Sequence, residues 1–237
     1  RSSVHYTAPH SPWIDCHPKK YTDLYEDCPF ETCPQGETHP WAKTEVLAGY
    51  QRPRESLIGY FAAVTAMDDN VGRILKKLEE ENLMEDTLII FSSDNGFNCG
   101  HHGIWGKGNG TFPLNMYDSS VKVPLIMCHK GHIPENQVCD EMHSGYDFMP
   151  TLLEYLGFEN DEADELPGKS FLPALMGQEH KNEDGRVVVF DEYGPVRMIR
   201  SRKYKLVHRY PYGPDEFYDL EADPGETHNG IEDEQYQ

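Results

Sequence analysis

The chain predicts an α/β fold: a mixed sheet flanked by helices, with a small C-terminal α+β subdomain. Three observations carry this. From Arg54 to Glu81 the apolar residues Leu57, Tyr60, Phe61, Val64, Met67, Val71, Ile74, Leu75 and Leu78 recur at intervals of three and four, the period of an amphipathic helix lying on a sheet. A short turn later, Thr87 to Phe91 is an unbroken β-branched and aromatic run, the composition of a strand buried on both faces. Toward the other end, Arg186 to Tyr193 and Val196 to Tyr210 read as consecutive strands.

Taken in order, residues 1–12 read as a strand end and 13–52 as a long excursion rich in Pro, Cys and Asp. The helix follows, with Lys76 and Glu80 as an exposed i, i+4 pair. Val121 to Cys128 supplies another strand. Tyr146 to Leu156 is a helix begun near Ser144, where Pro150 is tolerated only in the first turn or as a kink. Acidic and polar residues with Gly157, Pro167, Gly168, Pro173 and Gly177 then form a linker. Domain limits fall accordingly at 1–160, 161–185 and 186–237, and Glu232 to Gln237 is expected to fray. There is no internal repeat and no low-complexity tract.

A chain of 237 residues can bury a core as one domain, or as one domain with an appendage. Its 21 Lys and Arg stand against 41 Asp and Glu, a net charge of -20 that disfavours nucleic acid and anionic membrane surfaces. An anionic ligand must then depend on local cations. No apolar run approaches the length of a membrane span, and no signal peptide stands at the first residue, which leaves the compartment open. Six cysteines are too few for a dense disulfide framework. Cys16, His17, Cys28, Cys33 and His39 invite a zinc reading, but Cys28 and Cys33 lack a matching second pair, so a disulfide or buried free thiols are expected.

Chemistry concentrates after the Thr87 strand. Asp94 and Asn95 arrive at the carboxyl end, where open α/β sheets place their ligand crevice, and their hard oxygens suit Ca²⁺ or Mg²⁺ better than zinc. Asp-Asn-Gly alone reads first as an Asx turn. Within a dozen positions come His101, His102 and Lys107, set among Gly100, Gly103, Gly106, Gly108 and Gly110. Such a lining suits an anion, because a cation on Asp94 and Asn95, with Lys107 nearby, neutralises the oxygens of a sulfate or phosphate ester.

Ser93 to Gly96, Gly100 to Gly108, Tyr117 to Asp118 and Val121 to Pro124 together resemble the sulfatases of the alkaline phosphatase superfamily. The resemblance implies an alkaline-phosphatase-like fold, of which this chain holds a part. It makes Asp94 and Asn95 two ligands of one divalent cation, Ca²⁺ or Mg²⁺, and Lys107 the lysine that touches the sulfate and the leaving oxygen. His102 falls where the family places a substrate-facing histidine; His101 falls at a variable position. Val4 to Pro12 resembles the family's His-x-Pro-His-x-Pro segment. His10 then matches a sulfate-contacting histidine and general acid, while the family's earlier histidine is Thr7 here, with His5 as the alternative.

Arg197 to Leu206 and Phe217 to Glu226 resemble the closing hairpin and the Tyr-Asp-Leu-x-x-Asp-Pro-x-Glu signature of the same family. This region reads as structural, with its basic residues as solvated surface charge. No cysteine opens the Cys/Ser-x-Pro-x-Arg motif that yields the family's formylglycine nucleophile, and the family's N-terminal aspartate pair is absent. The expectation is therefore the C-terminal portion of a longer enzyme, inactive alone, whose missing N-terminal half supplies the nucleophile and the remaining cation ligands. Its substrate is expected to be a sulfated small molecule or sulfated glycan. The alternatives are a phosphodiester or phosphonate monoester hydrolase of the superfamily, or a non-catalytic binding fragment. Asn95, neutral where the superfamily's phosphatases commonly use histidine, favours sulfate.

Overall fold

The computed structural model describes residues 2–159, 165–178, 185–191 and 194–236. In chain order the elements are α1 (Lys19–Thr22), α2 (Pro53–Glu80), β1 (Ile89–Ser92), α3 (Asp118–Val121), β2 (Leu125–Cys128), α4 (Phe148–Tyr155), α5 (Leu172–Leu175), β3 (Arg186–Phe190), β4 (Val196–Ser201), β5 (Tyr204–Arg209) and β6 (Glu216–Asp219). The architecture is mixed α/β. The chain divides into two compact units: Arg1–Thr87 with Phe91–Ile126, and Leu88–Ile90 with Met127–Gln237. Among the described residues no helix is long and apolar enough to cross a membrane.

The predicted helix is present as α2, which Pro53 opens with a preset φ and no amide to leave unpaired. It stops where Asn82 turns left-handed (φ 57°) and the Asn82 and Leu83 amides return to the carbonyls of Glu79 and Leu78. The buried side of its first half carries Leu57, Ala62 and Ala63. Gly59 weakens a helix interior but admits another chain, since an added Cβ would fall against the Trp13 carbonyl oxygen. Lys76 and Glu80 do meet, at 3.9 Å and exposed, a pair of little energetic weight.

The core of this unit is Trp13, Phe30, Cys33, Leu57, Cys99 and Trp105. Three of these come from the 13–52 excursion, which is therefore a packed layer and not a loose loop. Tyr21 and Tyr25 fasten it to α2 by hydroxyl bonds to Asp69 (2.8 Å) and Thr65 (2.6 Å).

Several local expectations are corrected. Residues 2–12 are irregular and not a strand end, because Pro9 and Pro12 have no amide to give a ladder; the Trp13 indole N–H, donating to the Pro9 carbonyl at 2.7 Å, anchors them. The Thr87 strand appears as β1, paired among the described residues only with β2, and none of its residues is fully buried. Burial on both faces needs covering layers that this two-stranded sheet lacks among the described residues. The 121–128 strand is shortened to β2, since Ser120 and Val121 bond back to the Tyr117 carbonyl and Pro124 delays pairing until Leu125.

In the second unit, Ser144 and Asp147 form a capping box before α4, and Pro150 sits in the first turn of that helix. Residues 161–164 and 179–184 of the expected linker lie outside the described residues, as do Glu192, Tyr193 and Gln237. Strands β3 to β6 form an antiparallel meander in sequence order, with Met198 opposite Val207 and Lys205 opposite Tyr218.

The buried face of the meander carries Val196, Met198, Lys205, Val207, Arg209, Glu216 and Tyr218. Its basic residues are thus not all solvated, as the sequence suggests. Lys205 is fully buried and pairs with Glu226 at 2.5 Å, and Arg209 pairs with Glu216 at 2.8 Å. The C-terminal signature explains itself through this pairing. Tyr218 and Leu220 fill the core, and Asp219 caps the turn at Glu221 and Ala222. Asp223 binds the Thr227 and His228 amides and thereby delivers Glu226 to Lys205. Burial pushes the Asp223 carboxyl up, but those amides and the Thr227 hydroxyl outweigh it and hold the group below its ordinary value. The predicted fraying is also corrected: Glu234–Tyr236 form a 3₁₀ turn whose tyrosine packs on Phe217 and donates to Asp219 at 3.0 Å.

Lys205→Met is expected to destabilise the meander by about 3–5 kcal/mol, because it strands a buried carboxylate, whereas adding Glu226→Leu should restore most of the loss. Denaturant unfolding of both variants checks this; a single variant within about 0.5 kcal/mol of the parent would show the pair to be hydrated.

Candidate functional site

Every residue nominated from the sequence lies in the first unit. After β1 the chain turns through Ser93, Asp94, Asn95 and Gly96. Ser92 Oγ donates to the Pro124 carbonyl (2.9 Å), Ser93 Oγ to the Asn95 carbonyl (2.9 Å), and the Asn95 amide to Asp94 Oδ1 (3.0 Å). The Asp94 carboxylate thus bonds the very next amide, one residue short of the bond that defines an Asx turn, so the chain bends here without forming that turn. Gly96 lets the turn press on the next segment: its amide donates to the Ser120 carbonyl, and a Cβ there would meet the Ser119 carbonyl oxygen.

The turn leaves the Asp94 carboxylate exposed and aims Asn95 at Lys107. Lys107 Nζ donates to Asn95 Oδ1 at 2.6 Å, with both residues half-buried. The Asn95 Nδ2 is engaged by the Gly96 carbonyl at 2.8 Å, which fixes the amide so that its oxygen faces the lysine.

Residues 98–111 hold Lys107 in place with two single 3₁₀ turns, His101–Gly103 and Gly108–Gly110. Cys99, Gly100, His102 and Gly103 all have positive φ, and the loop folds back on itself, the Asn98 amide donating to the Gly106 carbonyl and the Gly100 amide to the Ile104 carbonyl, each at 2.9 Å. The side chain of fully buried Asn98 ties this closed loop to the next segment. Its Nδ2 donates to the Gly106 carbonyl (2.7 Å) and to Ser120 Oγ (2.8 Å), and its Oδ1 accepts from Ser119 Oγ (2.5 Å). Ser120 Oγ in turn donates to Asn115 Oδ1 at 2.7 Å, and Asn115 Nδ2 donates to the carbonyls of Lys107 (3.1 Å) and Gly108 (3.2 Å).

The two adjacent histidines differ. His101 Nε2 donates to the Thr32 carbonyl at 2.8 Å and ties the loop to the 13–52 layer. His102, left-handed at φ 56°, stacks face to face on Tyr117 with centroids 3.7 Å apart. Tyr117 is in turn edge-on to His39, whose amide donates to the Gly103 carbonyl at 3.1 Å. His10 stands apart. Its Nδ1 donates to the Ser11 carbonyl (2.9 Å) and its amide to the Thr7 carbonyl (2.9 Å), and no described hydrogen bond links it to Asn95, His102 or Lys107.

The structure therefore brings Asp94, Asn95 and Lys107 together, orients His102 through Tyr117, and leaves His10 exposed. Among the described residues no group of three His, Cys, Asp or Glu side chains converges as a complete metal site. Asp94 and Asn95 still fit part of a hard-cation shell, as one exposed carboxylate and one amide oxygen with a lone pair beyond the bond to Lys107. Sequence reasoning missed Asn98, Asn115, Ser119 and Ser120. Their signal was polarity inside apolar surroundings, as in Pro-Leu-Asn-Met-Tyr, and it is weak without the fold.

Two family models match the chain, one described as Sulfatase over residues 2–158 and one as N-sulphoglucosamine sulphohydrolase, C-terminal, over residues 100–237. Choline-sulfatase of Rhizobium meliloti (strain 1021) is 32% identical over 243 residues, covering 96% of this chain and 45% of that protein. The Arylsulfatase of Clostridium perfringens (strain 13 / Type A) is 28% identical, covering 98% and 49%. Among solved structures, that of BT4656 in complex with its substrate D-glucosamine-2-N, 6-O-disulfate aligns with a TM-score of 0.69 at 28% identity, over 78% of this chain and 38% of that one. The phosphonate monoester hydrolase of Agrobacterium radiobacter aligns at 0.66, also at 28% identity and over the same shares. The chain spans less than half the length of these relatives.

Asn98→Ala is expected to lower stability by about 1–3 kcal/mol, since Ser119 Oγ loses its acceptor and Ser120 Oγ and the Gly106 carbonyl each lose one of two partners. Hydrogen exchange should quicken at the amides of Gly100, Gly103 and Ile104, which close this loop. Unchanged exchange there, beside an unchanged melting temperature, would show that the loop is held by other contacts.

Proposed function

The chain belongs to the sulfatase family and has its alkaline-phosphatase-like α/β fold, and from this we propose that it contributes the cation- and sulfate-facing wall of a sulfate-ester hydrolase. One observation carries the reading. The Lys107 ammonium is held at 2.6 Å from Asn95 Oδ1, at the end of a strand, with the Asp94 carboxylate one residue away.

Asp94 and Asn95 would hold a Ca²⁺ or Mg²⁺, which supplies Lewis-acid stabilisation of the sulfate oxygens. Lys107 is a point charge with protons to donate, and its contact with Asn95 keeps it at the same oxygens and at the leaving oxygen. His102, braced by Tyr117, faces the substrate. His10, with Nδ1–H given to the Ser11 carbonyl, presents its Nε2 for proton exchange with the leaving group. The formylglycine and the remaining cation ligands lie outside this chain. Sulfated small molecules and sulfated glycans are the substrate class, in keeping with the names Choline-sulfatase and N-acetylglucosamine-6-O-sulfatase among the relatives.

Phosphonate monoester hydrolysis is the second reading, supported by the likeness to the Agrobacterium enzyme. Neutral Asn95 favours the sulfate monoanion, because a more highly charged phosphoryl group calls for more positive charge. Parallel turnover of an aryl sulfate and a phosphonate monoester by the full-length protein decides between them; turnover of neither withdraws both in favour of a binding role.

Lys107→Ala in the full-length protein should lower kcat by about 10² or more with little change in melting temperature. Activity within about twofold of the parent, accompanied by a lower melting temperature, would make Lys107 a structural residue. Asp94→Ala should remove activity and bound divalent cation together, while Asn95→Asp keeps the metal and impairs turnover by adding negative charge near the sulfate. Elemental analysis beside steady-state kinetics checks the pair, and undiminished metal in Asp94→Ala would withdraw the metal assignment and leave Asp94 a local backbone-bonding role.

A further inference from the structure

Outside the proposed site, two thiols share the core of the first unit. Cys33 and Cys99 both belong to the buried cluster of Trp13, Phe30, Leu57 and Trp105, at 9% and 5% exposure. One side chain measures how close their backbones come. Gln35 Nε2 donates to the Cys33 carbonyl and to the Cys99 carbonyl, each at 2.9 Å, so those oxygens are no more than about twice that distance apart. Gln35 Oε1 in turn accepts from the Trp105 indole at 3.2 Å, which locks the amide between the two loops. A neighbouring clamp, His101 Nε2 to the Thr32 carbonyl at 2.8 Å, repeats the juxtaposition one residue before Cys33 and two after Cys99.

We propose that Cys33 and Cys99 form a disulfide that fastens the 13–52 layer to the loop carrying His102 and Lys107. The carbonyls of both residues converge on one amide nitrogen inside the same buried cluster, which brings the two cysteines together as a disulfide requires. The oxidant is a small disulfide such as oxidised glutathione. The Cys33 thiolate attacks one of its sulfurs, forming a mixed disulfide and releasing one thiolate. Cys99 then loses its proton and attacks Cys33 Sγ, breaking the mixed disulfide and releasing the second thiol. Two protein thiols and one disulfide thus yield one protein disulfide and two small thiols.

The surroundings assign the order of attack. Hydrogen bonding from the Cys99 thiol, with help from Thr32 and His101, brings the Cys33 thiol down to about 6, whereas Cys99 is pushed up by that same bond and by burial. Cys33 is also the less buried of the two. It is therefore the sulfur that meets the oxidant, and Cys99 the one that resolves. Cys28 packs against the same cluster and is the competing partner for Cys33.

The full chain is incubated with oxidised glutathione, alkylated, digested without reduction and mapped by mass spectrometry. The expected product links the peptide holding Cys33 to the peptide holding Cys99, is lighter by two hydrogens, and persists in Cys28→Ser. The oxidised protein should melt roughly 5 to 15 °C above the same protein in reductant. That difference should vanish in Cys33→Ala and in Cys99→Ala, whatever either substitution costs in packing. Two alkylated thiols, a Cys28–Cys33 bond, or a stable glutathione adduct on Cys33 would overturn the proposal, as would a melting temperature indifferent to reductant.

Discussion

The placement of Lys107 depends on the buried side chain of Asn98. The loop that carries it, with Cys99, Gly100, His102 and Gly103 in the left-handed region, closes on itself through backbone bonds such as Asn98 to Gly106 and Gly100 to Ile104, but those bonds do not fix it against the segment that follows. A buried polar side chain left unpaired costs of order 1–3 kcal/mol. Asn98 uses both donors and its acceptor to join Gly106, Ser119 and Ser120, and through Ser120 and Asn115 the same network reaches the Lys107 carbonyl. The ammonium at Asn95 is thus placed by the far end of its own residue. Its side chain needs only to span from a fixed backbone to a fixed amide oxygen.

That arrangement explains what was legible beforehand. The α2 helix could be read because its apolar period and its proline start are local properties, and the Asp94, Asn95 and Lys107 group because glycines and charged residues crowd one short stretch. The Asn98 network was not legible. An asparagine satisfied by Gly106, Ser119 and Ser120 looks in sequence like any loop asparagine, since the meaning lies in partners that are brought together only by folding. The same holds for the 13–52 layer, whose prolines and acids suggested a loose excursion although Trp13, Phe30 and Cys33 are core residues.

The C-terminal meander failed for a different reason. Its alternation was visible, but Lys205 and Arg209 occupy inward positions where period-two reasoning expects apolar side chains, and their basic character suggested surface. Buried charge is tolerated only when paired, and both partners, Glu226 and Glu216, come from later segments. The turn built by Asp219 and Asp223 is what carries Glu226 back to β5. The acids of that signature therefore have separate tasks, two shaping backbone and one neutralising a lysine, and none is free to act on a ligand.

The balance of charge bears on how such a protein holds an anion. A net charge of -20 repels a sulfate ester at long range, so attraction has to arise within a few ångströms, where screening is weak and burial strengthens each contact. In the proposed role the half-buried Lys107 would meet that condition directly, and Asp94 only indirectly, by offering a place for a divalent cation. A carboxylate facing a sulfate would otherwise oppose binding. The proposed site would make electrostatic sense as a pair of elements: the carboxylate that by itself opposes a sulfate would be the one that recruits a cation, and with that cation held Asp94 and Lys107 would favour the same anion.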